Sequence, residues 1–100
     1  MDIRLATMEP DLERRIRAAA RRLRDQGAMR VYVFGSALDG TLREDSDVDL
    51  AVEGLPAHLF FQAMAEASWI VGRPVELVEV DRDGQAAGGI SLAAELKRVG

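Results

Sequence analysis

The stretch "VFGSALDGTLREDSDVDL", residues 33–50, decides how this chain folds. An apolar run ends at Gly35-Ser36, ten residues intervene, and the chain returns as Asp47-Val48-Asp49. Upstream, "MRVYVF" (29–34) is β-branched and aromatic and apolar on both faces, the pattern of a central strand. Downstream, "DVDLAVE" (47–53) alternates: Val48, Leu50 and Val52 share one face, and Asp47, Asp49 and Ala51 share the other. The segment therefore predicts two strands joined by a glycine turn, one helical turn over "SALDG" and a polar loop, "TLREDS" (41–46).

Flanking segments complete an α+β pattern. Residues 9–26 read as a helix, with Pro10 in its first turn, Leu12, Ile16, Ala19 or Ala20 and Leu23 at helical spacing, and Gly27 closing it. Gly54 and Pro56 end the second strand. A second helix spans 57–71, with Phe60, Phe61, Met64 and Val71 expected on its buried side. Trp69 and the Phe60-Phe61 pair read as core rather than as a base-stacking platform. Gly72-Arg73-Pro74 leads to a third strand, "VELVEV" (75–80), followed by the loop 81–89. Ser91 is expected to cap a last helix over 92–98. No repeat or linker divides the chain, and residues 1–100 read as a single domain.

Composition narrows the classes. Hydrophobic residues make up 48% and charged residues 30%, which is globular rather than disordered material. There is no cysteine, which excludes a thiolate zinc site and suits a reducing cytoplasm. No apolar run approaches the roughly 18 residues of a membrane span, and "MDIRLATMEPD" lacks the order of a signal peptide. With 13 basic and 17 acidic residues the net charge is −4, which argues against nucleic-acid binding. Six of the basic residues fall in "ERRIRAAARRLR" (13–24), a solvated helix face or a docking surface. His58, the single histidine, cannot build a histidine-rich metal site.

Same-face carboxylates on one strand stand about 7 Å apart. At an effective dielectric near 20 they repel by roughly 2–3 kcal/mol. A divalent cation reverses that sign, and Mg²⁺ typically takes one or two carboxylates plus substrate phosphates. Glycine lets a backbone approach an anion closely, and a serine hydroxyl there can donate to a phosphate oxygen. A third acid is expected in a two-metal phosphoryl-transfer site. If Val75 and Leu77 share the core face of Val48 and Leu50, Glu76 joins Asp47 and Asp49, while Glu79 falls on the core side. Arg43 is either a phosphate contact or a solvated loop charge.

Gly-Ser, ten residues, Asp-x-Asp and a later acid-bearing strand together resemble the nucleotidyltransferase superfamily of DNA polymerase β. "VFGSALDGTLREDSDVDLAV" is most similar to its minimal nucleotidyltransferase (MNT) domains. The likeness runs from about Val31 to Asp81. It implies a nucleotidyltransferase fold, a small mixed β-sheet flanked by helices. It implies that Gly35 and Ser36 hold nucleotide phosphates, and that Asp47, Asp49 and Glu76 are catalytic and ligate Mg²⁺, with ATP as substrate. The family's third acid is more often Asp, so Glu76 is a departure. MNT proteins commonly pair with HEPN-domain toxins, so the resemblance implies a cytoplasmic antitoxin that transfers AMP to a hydroxyl of that partner. The alternative is an inactive nucleotide-binding module that neutralises the partner by contact. The basic helix and the apolar C-terminal helix are candidate docking surfaces, and a homo-oligomer is left open.

Overall fold

The computed structural model describes residues 9–99. Helix α1 spans Pro10–Asp25, with the Glu9 carboxylate accepting from the amides of Asp11 and Leu12. Acids in its first turn and arginines in its last complement the helix dipole. Strand β1 (Arg30–Phe34) follows, then the one-turn helix α2 (Ser36–Asp39) and strand β2 (Val48–Glu53). A 3₁₀ turn at Ala57–Leu59 enters helix α3 (Phe60–Val71), which Gly72 closes in the left-handed conformation. Strand β3 is Val75–Glu79 and strand β4 is Lys97–Arg98.

The strands form one mixed sheet in the order β3-β2-β1-β4. β1 runs antiparallel to β2 and β4, and β2 runs parallel to β3 through the α3 crossover. Registers Val33↔Leu50↔Leu77 and Val31↔Val52 put the apolar side chains on one face. Leu12, Ile16, Ala19, Ala20 and Leu23 of α1 and Ala63, Ala67 and Val71 of α3 cover that face in one continuous core. The opposite face carries the row Phe34↔Asp49↔Glu76, then Tyr32↔Ala51↔Val78, then Arg30↔Glu53. The small mixed β-sheet with flanking helices expected from the sequence is the one observed.

Two expectations are overturned. No helix forms over 92–98: the chain makes a turn, with the Glu95 amide bonded to the Leu92 carbonyl, and then pairs as β4 with β1. Val99, whose amide donates to the Val31 carbonyl, is buried. The helical propensity of "LAAELKRV" yields to an open sheet edge, because pairing there satisfies backbone groups of β1 that a helix would leave bare. With that helix goes the C-terminal docking surface.

The aromatics of α3 are the second correction. Phe61 is 77% exposed and Trp69 87% exposed. Val71 is buried as expected and Phe60 and Met64 pack partly buried against the core, but Ala67 and Ala63, four and eight residues before Val71, take the places of Phe61 and Trp69 in the core shared with α1. Small residues on both helices, including Ala19 and Ala20 of α1, form the shared core. Phe61 and Trp69 are rotated to the far side of α3.

Candidate active site

Gly35 ends β1 with φ 71° and ψ −146°, a region open essentially to glycine. A side chain there would overlap the Asp49 carboxylate. The Gly-Ser turn therefore lies directly on the acid, which explains why this position lacks a Cβ. The Gly35 carbonyl accepts from the amides of Leu38 and Asp39 and starts α2.

Asp49 is half-buried in β2, flanked in register by Phe34 and Glu76. Desolvation pushes its carboxyl up from the ordinary 3.8, and the charge of Glu76, a hydrogen bond with Glu76 and the charge of Asp47 add to the rise. The three expected acids thus share one neighbourhood. Asp49 and Glu76 stand opposite one another on β2 and β3, and Asp47 is exposed at the end of the preceding loop. Among the described residues no arginine or lysine pairs with any of them. Glu53, two rows along the same face, shows the contrast: it is buried and bonded to Arg30 at 2.7 Å. Glu79 is exposed at the end of β3.

The donor chemistry fits Mg²⁺, which takes hard oxygens from one or two carboxylates and fills its remaining positions with water and phosphate. Asp49 and Glu76, opposite one another in register, are the residues that could supply such carboxylates. Among the described residues no group of three or more His, Cys, Asp or Glu side chains is already gathered around a common point.

Ser36 follows Gly35 as the first residue of α2. It lines a concavity of about 260 Å³ with Arg43, Arg73, Gly40 and Leu42. The sequence singled out Arg43 but gave Arg73 no part beyond its turn. Arg73 donates to the carbonyls of Arg43 (2.8 Å) and Ser46 (3.3 Å), fastening the loop that delivers Asp47 to the start of the strand that carries Glu76. Ser46 reinforces that loop, accepting from the Arg43 amide and donating its own amide to the Arg43 carbonyl. The available signal was position: a cation at the entry to the acid-bearing strand. The α1 arginines are largely self-neutralised. Arg14 and Arg15 pair with Asp11, Arg17 with Glu13 and Arg22 with Glu66, and Arg24 donates to the Val99 carbonyl. This favours a solvated helix face over a docking surface.

With acids, glycine turn and mixed sheet in place, comparison with known proteins agrees. The family model "Polymerase beta, Nucleotidyltransferase" matches residues 20–88, and the chain belongs to that family. Its fold is similar to a solved structure described as "Crystal structure of the toxin-antitoxin with AMP-PNP". The TM-score is 0.65 at 24% sequence identity, over 86% of this chain and 70% of that one. No curated protein matches the chain. Among the described residues no helix is long and apolar enough to cross a membrane.

Proposed function

We propose that this chain is a Mg²⁺-dependent nucleotidyltransferase, a single cytoplasmic domain that moves AMP from ATP to a hydroxyl of a HEPN-domain toxin and so acts as its antitoxin. The observation that carries this reading is the row of acids beside Gly35: Asp49 and Glu76 opposite one another in register, Asp47 two residues before Asp49, and no ion pair to any of them among the described residues. Family membership supports the reaction class. The similar structure is a toxin-antitoxin with AMP-PNP, an analogue of ATP, and this supports a nucleotide substrate and a toxin as partner, while the HEPN identity rests on the resemblance alone.

In the proposed reaction the acceptor oxygen bonds to the α-phosphorus, the bond from that phosphorus to the bridging oxygen breaks, and pyrophosphate leaves. Asp47, Asp49 and Glu76 would hold the magnesium. When bound, it supplies positive charge at the triphosphate and acidifies the attacking hydroxyl. Glu76, at the solvent edge of the row, takes the hydroxyl proton. Gly35 lets the phosphate chain approach the backbone and Ser36 donates to it, while Arg73 holds the loop before Asp47 in register. Rate then comes from positioning and electrostatics.

A second reading, a module that neutralises the toxin by contact without turnover, is favoured by the absence of a preformed three-ligand cluster among the described residues. The two separate cleanly. With Mg²⁺, α-phosphate-labelled ATP and the protein encoded by the neighbouring reading frame, the enzymatic reading expects label on that partner, lost in Asp47→Asn and Asp49→Asn. Tight complex formation with no label at any Mg²⁺ concentration supports the second reading. Transfer unchanged in both variants overturns the assignment of the acids.

A further inference from the structure

Arg43 and Arg73 line, with Ser36, the concavity of about 260 Å³, and among the described residues neither arginine has a carboxylate partner. The α1 arginines Arg14, Arg15, Arg17 and Arg22 all find one. In a chain of 17 acidic and 13 basic residues, two unpaired cations in one hollow are the reverse of the acid row beside Gly35. Like charges placed together oppose one another until an anion joins them.

Arg73 is held ready for such an anion. Its Nη1 donates to the carbonyls of Arg43 and Ser46, at 2.8 and 3.3 Å, which fixes the group. Nε and Nη2 have no acceptor among the described residues, so the rest of the planar fork stays open. A guanidinium oriented in advance loses less freedom on taking a phosphate than a mobile ammonium does. Arg43 is exposed, and only its backbone is bonded. Two acids also line the hollow. Glu9 is committed to the start of α1, where its carboxylate oxygens accept from the amides of Asp11 and Leu12. Glu44 is exposed in the loop and is the one unanchored negative charge.

Continuity and charge identify the anion. Ser36 adjoins Gly35, which lies against the Asp49 carboxylate, so the hollow begins where the acid row ends. A ligand with its reacting phosphorus at the acids extends its further phosphates past Gly35 towards Ser36. A terminal phosphate carries about −1.5 to −2 at pH 7, which two guanidiniums match. A carboxylate or an internal phosphodiester, with a single charge, leaves one cation unbalanced.

We propose that the Ser36–Arg43–Arg73 concavity is the subsite for the terminal phosphate of the nucleotide, and that the two arginines select a nucleoside triphosphate over a diphosphate. This deepens the proposed function and rests on its reading of the acids as the place of the α-phosphate. Ser36 donates to the phosphate chain, Arg73 takes the terminal group in its fixed fork, and Arg43 closes on it from the loop. The same cations hold the leaving pyrophosphate.

The full chain with Mg²⁺ is titrated calorimetrically with AMP-PNP and with ADP. Wild type should prefer AMP-PNP by at least about tenfold, the scale of charge-assisted contacts to one added phosphate. Arg43→Gln removes a side chain that bonds nothing else in the fold, so it should lose about tenfold in AMP-PNP affinity and keep its affinity for ADP. Arg73→Lys keeps a charge without the fork and should lose the preference in the same direction, whereas Glu44→Gln should strengthen it. A merely loosened loop would weaken both ligands together, as Asp49→Asn should through the metal. Inorganic pyrophosphate should displace AMP-PNP from wild type and do so far more weakly from Arg43→Gln. Equal affinities for AMP-PNP and ADP in wild type, or a preference unchanged in both arginine variants, overturns the proposal, and label still reaching the partner would then leave the reaction standing. An arginine-dependent preference with no label transferred removes the reaction and leaves the subsite.

Discussion

Leu50 and Asp49 are neighbours on β2, and the rows they belong to show two uses of one ladder. Val33↔Leu50↔Leu77 points under the helices, with all three side chains buried. Phe34↔Asp49↔Glu76, one residue away, points to the open face and sets two carboxylates side by side in register. The same backbone pairing builds both, and alternation alone assigns a side chain to one or the other. The core row supplies stability. The acid row opposes it through burial of Asp49 and the neighbouring charges, and the rigidity of the first holds the second in place.

Breaking the core row should have the largest effect. Leu50 is fully buried between two strands and the helical layer, and Leu50→Ala removes three heavy atoms with little room for collapse. The expected loss is about 2–5 kcal/mol in urea unfolding, enough to unfold much of a small domain at 37 °C. A loss under about 1 kcal/mol would mean that this face is loosely packed and cannot be the anchor of the acids.

Gly35 joins the two rows, and Gly35→Ala is expected to act on both to a lesser degree. Its backbone geometry costs a non-glycine residue about 1–3 kcal/mol. The new methyl also overlaps the Asp49 carboxylate, which must swing away from Glu76. Loss of Mg²⁺-nucleotide affinity of at least tenfold, in calorimetric titration at a temperature where the variant remains folded, is the expected outcome. Wild-type affinity in a destabilised variant would show that the turn serves the fold alone.

The same contrast explains what could be read from the sequence. Residues 30–53 were legible because each signal is local: a two-faced apolar run, a glycine that must end it, and strict alternation into Asp49. Glu76 was legible at one remove, since β3 reuses the Val75/Leu77 spacing and its parallel register sets Glu76 opposite Asp49. β4 was not legible, because Lys97 and Arg98 are strand residues only by virtue of β1, more than sixty positions earlier in the chain. The exposed side of α3 was hidden for another reason. That helix is apolar nearly all round, so periodicity carries no information about which stripe faces inward, and the fit of Ala63 and Ala67 in the core shared with α1 decided it. Arg73 was missed because its partners are carbonyls, which leave no trace in side-chain pattern.

Asp49→Asn sharpens the comparison with the smallest effect on stability and the most informative sign. Burial and the neighbouring Glu76 and Asp47 raise the folded-state pKa of Asp49 above 3.8, so the native state binds this proton more tightly than the unfolded chain does. The stabilising contribution of protonated Asp49 is fully present below about pH 3.8 and is lost as pH rises through the raised value. At neutral pH, without divalent metal, the charged residue is therefore a liability, and Asn should raise the melting temperature. Because water screens a half-exposed carboxylate, the gain should stay below about 1 kcal/mol, and it should vanish below about pH 3.8, where both side chains are neutral. Adding Mg²⁺ with an ATP analogue should invert the order, because wild type gains a ligated cation and the variant does not. Thermal melts across pH 3–7, with chelator and then with Mg²⁺, measure both signs. A variant less stable than wild type in chelator at pH 7 would mean that the protein already balances the charge of Asp49, and the acid row would then be a structural feature of the sheet rather than a site awaiting a cation.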